Sequence, residues 1–327
     1  MKPVRALPLF VAVLVALTAI GASVMVGAAA LPIDRVLATL LGGGSSGERS
    51  IVIDLRLPRA LLAGLAGGGL AVSGATFQAM LRNPLAEPYI LGVSGGAALG
   101  AVIVTVFTRS YFALPFAALA GALITIGIVF TIAARATLRL DPRVLLLAGV
   151  IVGAFFQAII LLLLTFADVE SFRSAIFWMM GSVASASWRS VLMLTVIVLP
   201  ATLALFALAR PLNLLTSGAE TALYLGVNVT AVMRGAYFIA SLLVATSVAA
   251  CGSIGFVGLV VPHAVRMVWG SDHRVVIPTA FFVGSAFLVL ADTTARTVLA
   301  PAELPVGVVT ALVGVPVFIL LLMKRAV

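Results

Sequence analysis

Lysine is almost missing from this chain of 327 residues: Lys2 and Lys324 are the only two. A P-loop needs a glycine-rich turn that ends in lysine, and neither lysine stands in one, so the chain carries no nucleotide site of that kind. Histidine is equally scarce, with His263 and His273 apart from each other, no HExxH pair, and no serine with a fitting histidine and acid partner. No enzyme site, cofactor site or metal site is expected from such a set. The single cysteine, Cys251, can form no internal disulfide and reads as a small buried apolar residue. Charged residues make up only 9% of the chain, far too few to keep a soluble protein of this length in solution.

Apolar residues, by contrast, make up 63%, and several uncharged runs reach the roughly 20 residues that cross a bilayer as a helix. Strands of a membrane barrel would alternate apolar and polar positions, whereas the run from Leu145 to Phe166 is apolar on every side. The fold class that follows is an all-α integral membrane protein in the lipid bilayer. Spans are expected near residues 7–29, 61–81, 89–108, 113–134, 144–166, 190–209, 235–251, 255–270, 276–291 and 306–323. About ten transmembrane helices put both termini on one side. The first run is long for a cleaved signal, so it reads as a retained span.

Placing the termini in the cytoplasm puts Lys2, Arg5, Arg82, Arg135, Arg139, Arg143, Arg210, Arg234, Arg266, Arg274, Lys324 and Arg325 inside. That majority agrees with the positive-inside rule, leaving an outer set of Arg35, Arg49, Arg56, Arg59, Arg109, Arg173, Arg189 and Arg296 to be explained. The net charge of +9 does not point to nucleic acid, because the basic residues are scattered between spans without aromatic interleaving. The carboxylates fall at span ends and none at the middle of a span. Ion-coupled carriers usually keep ionisable groups at midplane, so energy is expected to enter elsewhere.

One stretch has no evident place in a membrane fold, the loop of residues 211–234. Within it SGAETALYLGVN reads as a short helix, with Ser217 as N-cap, Glu220 as its capping-box partner and Gly226 as the stop. Docking a soluble partner is one reason to have it. Glycine and serine line the second and third spans, as close helix approach in lipid requires. Gln78 and the RNPLAEP turn beside them need cover from protein or a cavity. The outer segment that contains Phe172, Phe177, Trp178, Met179 and Met180 is expected to add a short helix.

Four blocks then carry a family resemblance over nearly the whole chain: RLPR (Arg56 to Arg59), SGATFQAMLRNPLAEPYILGVSGGA (Ser73 to Ala97), GSIGFVGLVVPHAVR (Gly252 to Arg266) and ADTTARTVLAPAELPVGVVTALVGVPVF (Ala291 to Phe318). In this order they resemble the FecCD-like permeases of type II ABC importers for iron-siderophore complexes, haem and vitamin B12. The resemblance implies one permease domain over residues 1–327 in a bacterial inner membrane. It also implies a homodimer of ten-helix subunits, two cytoplasmic ATP-binding subunits and a periplasmic binding protein. By the same comparison the 211–234 loop couples to the ATPase through Glu220, Leu223, Gly226, Val227 and Arg234. Arg56, Arg59 and Arg296 match positions that dock the binding protein. Asn83, Leu85, Asp141 and Pro142 match the inner gate, although Asp141 and Pro142 replace small hydroxyl residues there and Asp141 could instead pair with Arg139 or Arg143. The alternative is an ion-coupled secondary transporter of a hydrophobic metabolite. PYILGV and ELPVGV, each opening a span in the opposite direction, hint at an inverted repeat.

Overall fold

The computed structural model describes residues 6–27, 29–108, 110, 112–136 and 141–323. Lys2, Arg5, Arg109, Arg139, Lys324 and Arg325, on which the expected topology partly rests, lie outside the described residues. Every regular element among the described residues is helical. In chain order these are α1 (Ala6–Met25), α2 (Ile33–Leu40), α3 (Ser46–Arg49), α4 (Leu57–Met80), α5 (Val93–Phe107), α6 (Leu114–Ala136), α7 (Pro142–Thr165) and α8 (Val169–Met179). They continue as α9 (Trp188–Ala207), α10 (Ala209–Thr216), α11 (Ala219–Tyr224), α12 (Val229–Cys251), α13 (Val257–Trp269), α14 (His273–Thr297) and α15 (Val306–Met323).

Seven helical stretches are long and apolar enough to cross a membrane, and α5, α13 and α15 are shorter apolar helices. The expected second span begins earlier than residue 61, because α3 runs through a π-helical turn at Ser50–Arg56 into α4 as one 35-residue stretch. Counting the three shorter apolar helices with the seven long ones, successive helices alternate in direction, so α2, α3 and α8 gather at one end of the bundle and α10 and α11 at the other. At the first end, the Trp188 Nε1–H donates to the Ile53 carbonyl at 3.1 Å and ties the start of α9 to the π-helical turn.

Helix α4 is the axis of the fold, buried almost throughout and packed against α14, α12, α13 and α9. Its glycines explain how so many neighbours reach it. A Cβ on Gly284 of α14 would stand 2.5 Å from the Gly67 carbonyl oxygen, and one on Gly74 would collide with the Gly258 carbonyl of α13. Removing side chains at such crossings brings backbones into van der Waals contact, which is where helix attraction in lipid comes from. Gly96 and Gly121 make the equivalent contact between α5 and α6.

Two interruptions meet inside this bundle. Residues 81–92 leave α4 and lead into α5 through Gly92 (φ +76°), while residues 252–256 leave α12 and lead into α13 through Phe256 (φ +69°). A left-handed phenylalanine is strained by about 1 kcal/mol or more and persists only where its surroundings fix it. Here the Phe256 N–H donates to Glu87 Oε1 at 2.9 Å, and its ring occupies the space left by Gly314 of α15. The Tyr89 hydroxyl accepts from the Ile254 N–H and donates to the Ile254 carbonyl, both at 2.8 Å. The Gln78 amide donates toward the carbonyls of Ala86, Gly258 and Leu259 at 3.2 to 3.3 Å. Irregular backbone is thus satisfied by side chains, as burial away from water demands. Glu87, expected in an inner loop, belongs to this junction.

Candidate functional site

The exposed element at one end is built from α10 and α11. Ser217 does not cap α11 as the sequence suggested, since it closes α10, its N–H donating to the Leu214 carbonyl at 3.1 Å. The N-cap of α11 is Gly218, at φ +121° and without a side-chain cap, so Glu220 has no capping-box partner and stands exposed. Gly226 does stop the helix. At φ +82° it donates to the Leu223 carbonyl at 2.9 Å, and Val227 donates to that of Ala222 at 3.0 Å, a complete Schellman closure. The Asn228 side chain then accepts the Ala231 N–H at 3.0 Å and starts α12, on which Arg234 is exposed. Ala222 anchors α11, while Leu223, Tyr224 and Leu225 are exposed, Tyr224 at 89%. Tyr224 and Leu225 were missed by the motif comparison, although a run of three bulky residues before a helix-stop glycine was visible.

Behind this element, α10 is fastened to the start of α14. Asp272 caps α14 and binds Arg274, with a 2.5 Å ion pair, and Asn213 of α10 donates to its carboxylate at 2.7 Å. Hydrogen bonds from Arg274, then from Asn213, hold the Asp272 carboxyl well below the usual carboxylate range.

The expected gate residues sit in two turns. The Asn83 Oδ1 accepts the Leu85 N–H at 2.9 Å, leaving Leu85 43% exposed. Asp141 caps α7, and Pro142 is its first residue; among the described residues the Asp141 carboxylate accepts the backbone N–H of Arg143 at 2.8 Å. Among the described residues no hydrogen bond or ion pair joins the two turns.

At the opposite end none of the three arginines matched to docking positions is freely exposed. Arg56 is 4% exposed and donates to the carbonyls of Val24, Met25 and Ala29, at 3.0, 3.1 and 2.5 Å, where α1 ends. It satisfies the carbonyls that a helix C-terminus leaves over and adds a positive charge to the negative end of the dipole. Arg296, 5% exposed, donates to the Ser23 carbonyl and hydroxyl. Its ion pair with Asp292, four residues earlier, is long at 3.9 Å. The reason is that Asp292 is held by Arg59, at 2.9 Å, and Arg59 also reaches Glu303 at 3.0 Å. The α14 helix extends past the expected end at residue 291, which brings Asp292 and Arg296 onto it. Beside Glu303 opens a cavity of about 440 Å³, walled by Ser171, Ser174, Phe177 and Trp178 of α8 and by Thr105 of α5.

A bundle of apolar helices with an exposed element at one end, a charged network at the other and an interrupted centre is the architecture of a multi-pass membrane protein. The comparisons with known proteins make that class specific. The chain belongs to the FecCD transport family, whose model matches residues 13–324. It is similar to the hemin transport system permease protein HmuU of Yersinia pestis, 41% identical, with 84% of each chain covered. It is likewise similar to the iron(3+)-hydroxamate import system permease protein FhuG of Bacillus subtilis, 38% identical over 89% of this chain and 88% of that one. A cobalamin import system permease protein, BtuC of Halobacterium salinarum, is 43% identical over 85% and 74%. Among solved structures, a metal-chelate type ABC transporter in an inward-facing conformation matches with a TM-score of 0.88 at 33% identity, covering 97% and 98%. The chain is therefore a multi-pass inner-membrane permease of the ABC class rather than an ion-coupled carrier.

Proposed function

We propose that this chain is the membrane-spanning subunit of an ATP-driven importer that takes an iron chelate, haem or cobalamin from a binding protein into the cytoplasm. The observation that carries this reading is the α10–α11 element, a stiff, glycine-stopped helix that offers Leu223, Tyr224 and Leu225 to a soluble partner. Uncovered apolar side chains on a polar end of a membrane protein favour a protein interface. The partner is a cytoplasmic ATP-binding subunit, one for each copy of a permease homodimer. Glu220, Val227 and Arg234 flank the apolar knob, and Gly226 sets its angle.

In this reading the seven long and three short apolar helices make ten crossings of a single permease domain, residues 1–327, with both termini beside α10 and α11. The binding protein meets the opposite end. Arg59 is the docking residue there, because its partner Glu303 is partly exposed and also walls the 440 Å³ cavity. Arg56 and Arg296 support it by holding the end of α1. The turns at Asn83–Leu85 and Asp141–Pro142 form the inner gate along the homodimer axis.

The test uses the chain co-produced with a candidate ATP-binding subunit from the same genome. Tyr224→Asp should abolish co-purification, while Gly226→Ala should retain it and lower uptake per ATP hydrolysed, since a left-handed alanine costs about 1 kcal/mol and re-aims the knob. Full co-purification and coupled uptake by both variants would sink the reading.

A further inference from the structure

Asn213 makes a connection between α10 and α14 that apolar packing of the two helices does not require. Its Nδ2 donates to Asp272 Oδ1 at 2.7 Å, its Oδ1 accepts the His273 backbone N–H at 2.8 Å, and the same oxygen lies 2.7 Å from His273 Nδ1. Only one orientation of the amide satisfies both a carboxylate and an N–H, and the acceptor oxygen requires the proton of the neutral His273 ring on Nδ1. His273 is 2% exposed, so its ring cannot turn to water for a substitute. Both ends of one short amide are therefore spent on the first two groups of α14. Asp272 is in turn fixed by Arg274, whose Nε and backbone N–H each reach it at 3.0 Å.

The rest of the path is contiguous. Helix α11 joins α10 through Ser217 and Gly218, α10 also packs against α4, and α14 meets α4 backbone to backbone at Gly67 and Gly284. We propose that Asn213 is a positioning residue of the transport cycle, the latch that makes α14 follow α10 when the ATP-binding subunit moves the α10–α11 element. The inference rests on the coupling role proposed for that element. Buried apolar contacts such as Leu212 and Leu215 hold α10 in place but allow sliding, whereas directional, charge-assisted hydrogen bonds fix its register on α14. A rigid element that responds to one site and biases another is the physical requirement for coupling.

The experiment uses the complete complex in proteoliposomes, with haemin, cobalamin and a ferric hydroxamate as the transported probes, and reads uptake per ATP hydrolysed. Asn213→Leu keeps the volume and removes the hydrogen bonds. It should retain the ATP-binding subunit and its hydrolysis while uptake per ATP falls about tenfold. Asn213→Asp should fail likewise, because it sets two carboxylates together. Combining it with Asp272→Asn restores the link across the junction: the carboxylate at 213 accepts from His273 and from the amide nitrogen at 272, and the amide oxygen at 272 keeps the Arg274 side chain while giving up its backbone N–H, so coupling should return to within about threefold of the original. A merely structural role would lower assembly and hydrolysis together with uptake and leave uptake per ATP unchanged. Normal coupling by Asn213→Leu, or an exchanged pair that assembles yet stays uncoupled, overturns the latch alone. A starting complex that binds no ATP-binding subunit overturns the proposed function and the latch with it.

Discussion

Arg59 and Asp292 are 233 positions apart in the chain and form a two-bond fork, with Glu303 taking a second pair of bonds from the guanidinium. Asp292 is 1% exposed, so the fork stands in for the water that its carboxylate has lost. Arg59→Ala leaves a buried carboxylate with only the 3.9 Å contact to Arg296, and the expected loss is about 3 kcal/mol of stability. Arg59→Lys should recover part of it, because a point charge cannot grip two carboxylates as a planar fork does. Thermal unfolding of the purified chain in detergent reads both, and an unchanged midpoint for Arg59→Ala would refute the argument. The sequence displayed part of this cluster, since Asp292 and Arg296 stand at helical i,i+4 spacing. The dominant partner was not legible, because nothing local marks a contact between α4 and α14.

The same limit governs elements. Ser-x-x-Glu occurs at Ser45–Glu48 and again at Ser217–Glu220, and only the first forms a capping box, with Ser45 N donating to Glu48 Oε2 at 2.6 Å and Glu48 N to Ser45 Oγ at 3.3 Å. The second fails because α10 runs directly into Ser217, which is spent as a C-terminus before it can begin α11. A motif reports what a residue can do, and the preceding element decides what it is free to do. Runs of apolar residues located α6, α7, α9 and α15 to within two residues, whereas α3 with the π-helical turn lies in more polar sequence and was placed in no span. Glycines divide in the same way. Gly74→Ala should abolish folding, since its Cβ would overlap the backbone of Gly258, while Gly127→Ala meets nothing within 4 Å and should stabilise α6 by roughly 0.5 kcal/mol. Expression yield and unfolding midpoint of the two variants, compared side by side, test whether helix contact or glycine content sets stability. Equal tolerance of both would count against the packing account.

For the whole molecule, the alternation of helices assigns α8 and α11 to opposite sides of the membrane. The only cysteine, Cys251, is 2% exposed and silent toward bulky reagents, so the natural chain is already a background for labelling. Glu170→Cys should react with a membrane-impermeant maleimide from the periplasm, and Thr221→Cys only in inverted vesicles. Labelling of both from one side would refute the topology. The overall class was legible because hydropathy is a property of every residue, whereas the meeting of residues 81–92 with 252–256 depends on pairs that no local pattern connects.

That meeting has a mechanical meaning. Tyr89 grips a single residue, Ile254, by both its N–H and its carbonyl, and Glu87 takes the N–H of Phe256 two residues on, which ties the two broken stretches together. Helices α5 and α13 depart from this point toward opposite ends of the bundle. Set on one junction, they would turn together like the two arms of a lever, so any tilt of the junction would reach both ends of the bundle at once.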